Sequence, residues 1–366
     1  MKYWRGYLVA AIAAACSWAL KDFVKNHSEL IDMIYPYVTR MIQDYLAKWS
    51  SDVAFCVWQM LLLVLIVLGL ATIVLMIVLR WNPIQVIGWM VAAVFCINFV
   101  TTAMHGLNQY TDNLASDLRL ENMKYKYSTE ELEAAAVFYR DKANELANQV
   151  NRDEQGNVIY PEFSELATQA EEGFKVQTYE YYHPIFAGST IPVKELGWSD
   201  YYTTRGIADK LVPLTGEAAV NPEAPAVIIP YAMCRVMACR MSITSEQSSN
   251  FAAFLACDAN SSVEFRYSAY LMAYRYCHNQ MKELKNVSNP LALDSLENGE
   301  NANLKRDLKT CSEFFGKNEK LDKSVCDILV IWHIEKYVLP LLQEEEVAPF
   351  DPFDENAVDL TGLVGA

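Results

Sequence analysis

Residues 53–79 read VAFCVWQMLLLVLIVLGLATIVLMIVL and contain no charged side chain. As a helix this run is about 40 Å long, enough to cross a hydrocarbon core about 30 Å thick with some tilt. A polar break follows at Arg80-Trp81-Asn82-Pro83, and residues 84–104 form a second run without charge. Trp81 and Trp89 suit the interfacial aromatic belt of a membrane protein. The two runs therefore predict a transmembrane helical hairpin rather than a buried hairpin of a soluble protein.

The N-terminus predicts a further membrane segment. Lys2 and Arg5 precede an apolar run from Tyr7 to Leu20, a pattern that fits a cleaved secretory signal or a short first span. We favour an uncleaved span at about residues 6–20, because two more spans follow. Residues 1–104 then form a membrane region, and residues 105–366 form a second domain.

The distribution of positive charge predicts the orientation. Lys2 and Arg5 keep the N-terminus inside, which places the 80–83 turn inside and everything after Met104 outside. The chain is thus predicted to be a multi-pass protein of the bacterial cytoplasmic membrane with an extracytoplasmic C-terminal domain. Four cations in the predicted outer loop oppose this orientation, although acidic residues in the same loop offset their charge. They are Lys21, Lys25, Arg40 and Lys48.

Residues 28–50, between the first two spans, predict an amphipathic helix. We expect it to lie along the membrane surface or to cover the hairpin. Packing against the following domain is the alternative. Its apolar face carries Ile34, Val38, Met41, Ile42, Tyr45 and Trp49.

The second domain is predicted to be mainly α-helical. Ser128-Thr129-Glu130-Glu131 is a capping box that opens a helix through Val150. Residues 214–221 predict a short edge strand, and residues 286–303 a polar, linker-like stretch. The net charge of −15 excludes a nucleic-acid interface, which needs clustered Lys and Arg. Further helices are predicted at 161–181, 226–242, 246–257, 263–284 and 322–342.

The nine cysteines contain no Cys-x-x-Cys pair, which argues against a zinc ribbon or a thioredoxin-like site. Cys311 and Cys326 flank a turn-rich stretch and are the favoured disulfide. Cys239 with Cys257 on the next helix is a better candidate pair than Cys234 with Cys239, because the i, i+5 spacing of Cys234 and Cys239 places them on different helix faces. Buried free thiols are the simpler interpretation of Cys234 and Cys239.

Four stretches carry a resemblance to a known family. They are Thr215–Asn221, Pro230–Tyr231 with Ile243, Asn250–Cys257, and Phe265–Leu271 with Tyr274–Tyr276. Through them the chain resembles an uncharacterised bacterial family of multi-pass membrane proteins with the His-Glu-x-x-His pattern of zinc peptidases. The resemblance implies a zincin-like helical domain in which two histidines on one helix and an acid on the next bind zinc.

The chain departs from this pattern at the positions that would bind zinc and activate water. Arg235 stands at the first expected histidine, Val236 at the glutamate, Cys239 at the second histidine and Ser248 at the acid of the next helix. Arginine is not a metal ligand at ordinary pH, and valine cannot act as a general base. We therefore predict no catalytic residue, no metal ligand and no cofactor, although the family implies zinc.

We expect the guanidinium of Arg235 to occupy the former metal cavity. A buried cation needs a carboxylate partner, and Glu217 or Glu246 is the predicted partner. Asn221 is a further candidate for the lining of this cleft. The alternative is that Arg235 is a residue of the surface or rim.

Three functions remain open at this point. The favoured one is a membrane-anchored pseudo-peptidase that binds a peptide or a membrane protein, with the strand at 215–221 pairing with an extended peptide. The second is an active hydrolase or metalloprotein with a site rebuilt from Cys239, Cys257 or carboxylates. The third is a purely structural membrane subunit. In all three, the membrane lipid is a partner.

Overall fold

The helices of the membrane region are the first elements of the computed structural model, which describes residues 2–111, 114–118, 120, 126–177, 185–284, 290–316 and 321–340. Three of them, α1, α4 and α5, are long and apolar enough to cross a membrane. The chain is thus a mainly helical protein with three candidate spans, as the sequence predicts. The first five helices are α1 (Arg5–Asn26), α2 (Ser28–Asp32), α3 (Tyr35–Ser51), α4 (Val57–Val78) and α5 (Pro83–Met104).

The remaining described elements are ten helices and three short strands. The strands are β1 (Lys194–Glu195), β2 (Asp209–Val212) and β3 (Glu217–Val220). The helices are α6 (Leu114–Asp117), α7 (Thr129–Ala147), α8 (Phe163–Gln177), α9 (Ser199–Thr203), α10 (Ile229–Arg240), α11 (Glu246–Asp258), α12 (Val263–Leu284), α13 (Pro290–Asn298), α14 (Ala302–Phe315) and α15 (Lys323–His333).

Helices α1 and α5 pack against each other and run parallel. A Cβ atom on Gly6 would lie 2.3 Å from the carbonyl carbon of Gly88, so only small residues permit this backbone approach. At the other end, Lys25 near the end of α1 lies over the ring of Tyr110, just beyond α5. The start of α1 and the 80–83 turn therefore lie at one end of the pair, and the end of α1 and Tyr110 lie at the other.

Helix α3 packs against the second domain through its polar and small side chains. Thr39, Gln43, Ala47 and Ser50 are buried, and they lie on one side of the helix. For this polar and small face of α3, the predicted alternative of packing against the second domain is therefore correct. The predicted apolar face lies on the opposite side, outside the protein.

The strand at 215–221 is not an edge strand, which corrects that prediction. β3 is the central strand of a three-stranded sheet in the order β1-β3-β2. β1 pairs with β3 in parallel, and β2 pairs with it in antiparallel register from Asp209–Val220 to Val212–Glu217. β1 has only two residues and lies in a stretch with the features of a loop, so no local pattern reveals it. Both edges of β3 are therefore occupied.

Helices α10 and α11 are neighbours in the core, as the sequence predicts, and α12 packs on both. The Ser128 capping box at the start of α7 is present, with the Glu131 side chain bonded back to the Ser128 backbone. The linker-like stretch at 286–303 is wrong in part, because residues 290–298 form α13, whose Leu293 and Leu296 are buried. Side chains that fill the core include Tyr139, Phe251, Phe254, Tyr267 and Tyr274.

The cysteine pairings predicted from the sequence are wrong. All nine cysteines are free thiols. Cys326 Sγ lies 3.9 Å from Cys277 Sγ instead of bonding to Cys311, since α15 packs on α12. Cys257 lies beside Cys234, on the face of α10 that points away from Cys239.

Candidate functional site

The candidate site is built around Arg235 on α10. This helix is buried on almost every side, and the side chain of Arg235 contacts Asp209 of β2. The guanidinium donates two hydrogen bonds to the carboxylate of Asp209, from Nε to Oδ2 at 2.9 Å and from Nη2 to Oδ1 at 2.7 Å. Its Nη1 lies 3.7 Å from Glu246 Oε2. A paired fork of this kind fixes both the position and the plane of the guanidinium.

Burial sets the electrostatics of this pair. The side chain of Asp209 is 6% exposed and that of Arg235 is 27% exposed. Burial raises the pKa of Asp209 above that of an ordinary carboxyl, and the charge of Arg235 opposes the rise. Burial alone would lower the pKa of Arg235, but the neighbouring carboxylate charges of Asp209 and Glu246 more than reverse this. Arg235 is therefore a permanent cation at neutral pH.

A cavity of about 450 Å³ opens beside the Arg235 side chain. Its wall combines the Arg235–Asp209 pair with Glu246, with the amide of Asn250, and with apolar groups from four separate segments. The cavity is large enough for a few amino-acid side chains. The apolar and aromatic groups are Ile207, Ile228, Tyr231, Met272, Tyr276, Phe315 and Leu321.

The position of Glu246 is set by the start of α11. Ser245 caps this helix by accepting a bond from the Ser248 backbone, which leaves Glu246 as the first helical residue. Glu246 Oε1 accepts a bond from Asn250 Nδ2 at 2.9 Å, and its other oxygen points toward Arg235. The side chain is 52% exposed, so it forms the rim of the cavity.

The residues at the expected zinc positions do not fit a zinc ion. Arg235 is a cation already bound to Asp209, and Val236 is fully buried and carries no donor atom. Burial raises the pKa of Cys239 to about 11, so its thiol keeps its proton at neutral pH. The hydroxyl of Ser248 accepts a bond from the backbone of Leu114. Within the described ranges, no three His, Cys, Asp or Glu side chains form a group that could hold a metal ion.

Glu217 lies away from the cavity, so of the two predicted partners of Arg235 only Glu246 contacts it. Its fully buried carboxylate accepts bonds from the backbone nitrogens of Val57 and Trp58, at 2.7 and 2.8 Å. Lys194 Nζ donates to the same carboxylate at 2.8 Å. Glu217 therefore caps the first turn of α4, where its negative charge also suits the helix dipole.

Asn221 also lies outside the cavity lining. Its amide donates to Thr203 Oγ1 and to the carbonyl of Ile207, and its carbonyl oxygen accepts from the backbone of Glu223. These bonds close the turn that follows β3. Of the three acidic and amide candidates for the cleft, only Glu246 lines the cavity.

Asp209 is the residue of the candidate site that the sequence does not reveal. The stretch that contains it, residues 207–220, reads as non-helical core. The partner of Arg235, however, depends on how β2 pairs with β3 and how the sheet packs on α10. A single carboxylate 26 positions before Arg235 carries no local signal of that contact.

The fold and the cavity together define a mainly helical protein with three candidate spans and a charged, partly apolar cavity. The chain belongs to the family described as "Protein of unknown function (DUF3810)", whose model matches residues 32–329. No curated protein and no solved structure matches the chain. The family description names no activity, so the zinc-peptidase resemblance and the zincin-like arrangement stay predictions.

Proposed function

We propose that this protein is a membrane-anchored binding protein that takes a peptide segment into the cavity beside Arg235. The observation that carries the proposal is the pairing of Arg235 with Asp209 in the wall of that cavity, at the position where the resemblance implies zinc. A fixed ion pair shapes and charges a binding site, but it supplies neither a metal-bound water nor a general base. The proposal replaces edge addition to β3, whose two edges are occupied.

The charge of the cavity favours a ligand with a basic group. Asp209 neutralises Arg235 with both of its oxygens, so the negative charge that remains belongs to Glu246 and Asp322 at the opening. Carboxylates at the mouth of a low-dielectric cavity attract cations. The apolar walls suit an aliphatic or aromatic group. A peptide that carries Lys or Arg beside an apolar side chain meets both requirements.

The arrangement of the first helices supports an extracytoplasmic cavity. Because α1 and α5 run parallel, Lys2, Arg5 and Arg80 lie at the end of the helix pair opposite the second domain. Cytoplasmic ends of membrane proteins are enriched in Lys and Arg. We therefore infer a multi-pass protein with its domain outside the cytoplasmic membrane.

The proposal is tested by peptide binding to the full chain in nanodiscs. The probes are two pools of short random peptides that differ only in a fixed central residue, Lys or Glu. We expect the Lys pool to bind more tightly. Glu246→Gln should weaken that binding about tenfold, since one charge at close range contributes about 1.4 kcal/mol or more in a partly buried site.

The matched control is Glu145→Gln. Glu145 is an exposed glutamate on α7 whose side chain pairs with Lys142. It should leave binding unchanged. Binding of neither pool, or equal loss of binding in both variants, would show that the cavity is not the binding site.

The thiol-hydrolase alternative receives less support from the geometry. Burial raises the pKa of Cys239 to about 11, and burial beside Cys234 raises that of Cys257. A nucleophilic cysteine needs a lowered pKa. We expect Cys239 to resist iodoacetamide at neutral pH in the folded protein and to react after unfolding, as measured by mass spectrometry. Rapid alkylation of the folded protein would favour the hydrolase instead.

A further inference from the structure

Both ends of α3 are fixed to helices that are predicted to cross the membrane. At its start, Tyr35 Oη donates to the carbonyls of Thr102 and Ala103, in the last turn of α5, at 3.2 and 3.1 Å. At its end, a short segment leads directly into α4. Lys194 clamps this segment by donating to the carbonyls of Ser50 and Phe55.

These attachments determine the direction of α3. The end of α5 and the start of α4 are the ends of those helices on the side of the second domain. A helix of 17 residues is about 25 Å long. Since both of its ends are held on one side of the membrane, α3 runs along that side rather than across it.

The inner face of α3 is bonded to the domain by polar groups. Thr39 Oγ1 lies 2.9 Å from Ser242 Oγ, Arg40 Nε donates to the carbonyl of Met241 at 3.0 Å, and Gln43 Nε2 donates to the carbonyl of Pro213 at 3.1 Å. This face also closes on Gly216, where a Cβ atom would lie 2.5 Å from the backbone nitrogen of Ala47. The orientation of α3 about its own axis is thus fixed.

The outer face is apolar and exposed. A helix on the surface of a soluble protein turns its apolar side inward, whereas α3 turns its polar and small side inward. Tyr45 and Trp49 have the amphipathic rings that membrane proteins place at the headgroup level. The exposed fractions on this face are 65% for Ile34, 41% for Val38, 68% for Met41, 73% for Tyr45 and 59% for Trp49.

We propose that the outer face of α3 lies in the headgroup and acyl boundary of the bilayer, on the same side as the second domain. The proposal rests on α4 and α5 crossing the membrane, and it does not depend on the ligand of the cavity. Because both ends of α3 are held at the ends of α4 and α5, its outer face would lie against lipid along its whole length. The second domain is thereby seated on the membrane through α3 as well as through its covalent links.

The test is photo-crosslinking of the full chain in nanodiscs of phosphatidylethanolamine and phosphatidylglycerol. Benzoylphenylalanine is placed at position 45, on the outer face of α3. The control places it at position 159, where Ile159 is 47% exposed on the second domain. We expect mass spectrometry to detect lipid adducts from the probe at position 45 and none from the probe at position 159.

Two results would overturn the proposal. One is a probe at position 45 that gives no lipid adduct while the labelled protein keeps its thermal unfolding temperature. The other is a crosslink from position 45 to a second copy of the chain, which would make this face a protein interface. A third placement at position 41, on the same face, must agree with position 45.

Discussion

Arg235 is a mostly buried cation whose guanidinium is bound at two points by the buried carboxylate of Asp209. The resemblance to zinc peptidases would put a histidine at this position, and that equivalence stays a prediction. Such a pair is sensitive to the loss of either member, because the remaining charge is then buried alone. The pair fixes the wall of the cavity, and its contribution can be measured.

The first prediction concerns the removal of one charge from this pair. Arg235→Met leaves the Asp209 carboxylate buried without its partner, and we expect the free energy of unfolding to fall by about 3–5 kcal/mol. Chemical unfolding of the full chain in detergent micelles measures the change. Asp209→Asn combined with Arg235→Met should recover part of the loss, because no charge then remains buried.

The control is Lys142→Met, which breaks an exposed pair with Glu145. We expect a change below about 1 kcal/mol there, as is typical of surface ion pairs. If Arg235→Met costs no more than this control, the Arg235–Asp209 pair does not hold the cavity together.

At the scale of elements, the start of α4 depends on a side chain from the sheet. Glu217 of β3 satisfies the backbone nitrogens of Val57 and Trp58, and its charge is balanced by Lys194 of β1. An apolar helix of this kind has no polar side chain of its own to serve as a cap, since Cys56 stands at that position. The sheet therefore ties the first turn of α4 to the second domain.

The second prediction tests this cap. Glu217→Ala removes the acceptor of two backbone nitrogens and leaves Lys194 without its buried partner, so we expect a loss of about 3 kcal/mol or more. Hydrogen exchange should accelerate at residues 57–60 specifically. Glu195→Gln, on an exposed glutamate of β1, should leave both the stability and the exchange unchanged. Equal effects of the two variants would contradict the cap.

Local patterns in the sequence predict the helices well. The bounds of α12 agree residue for residue with the prediction, and the Ser128 capping box marks the start of α7, because periodicity and capping are local properties. The polar composition of residues 286–303 conceals α13, whose few apolar residues are buried against α7 and α12. β1 has only two residues, and its pairing with β3 arises from contacts distant in sequence.

In the candidate site, too, local patterns are predictable from the sequence and contacts distant in sequence are not. Arg235 and Glu246 were identified from the sequence because both lie on predicted helices at aligned positions. Asp209 was missed, and Glu217 was assigned to the wrong partner, because each contact depends on the register of the sheet. A carboxylate in a four-residue strand gives no indication of which cation it meets.

Across the whole molecule, one sheet joins the candidate span α4 to the cavity. Glu217, opposite Val212, caps α4, and Asp209, opposite Val220, binds Arg235. The Glu217 contact and the Asp209 contact are three positions apart along the sheet, which is about 10 Å. The cavity therefore lies close to the start of α4, one of the three candidate spans.

The third prediction is a loss of stability in weak acid. Burial lowers the pKa of His105, His278 and His333 below 6.5, and the charge of Lys282 adds to the effect at His278. Below about pH 6.5 the unfolded chain then binds protons more tightly than the folded chain. Stability is complete above that pH and falls as the pH decreases.

The measurement compares the thermal unfolding temperature at about pH 7.5 and about pH 5.5. The wild type should lose more between these conditions than His333→Phe, which removes one buried titrating ring. Raised pKa values of buried carboxylates, such as that of Asp209, act in the opposite direction but equally in both proteins. Identical losses in the two proteins would show that His333 does not contribute.

We propose that an arginine ion pair, and not a metal, organises this cavity. The metal content of the full chain, purified without chelator and measured by mass spectrometry, tests it most directly. We predict zinc and other divalent ions far below one per chain, in the wild type and in Cys239→Ser alike. A tightly held divalent ion at one per chain, lost on Cys239→Ser, would contradict the account.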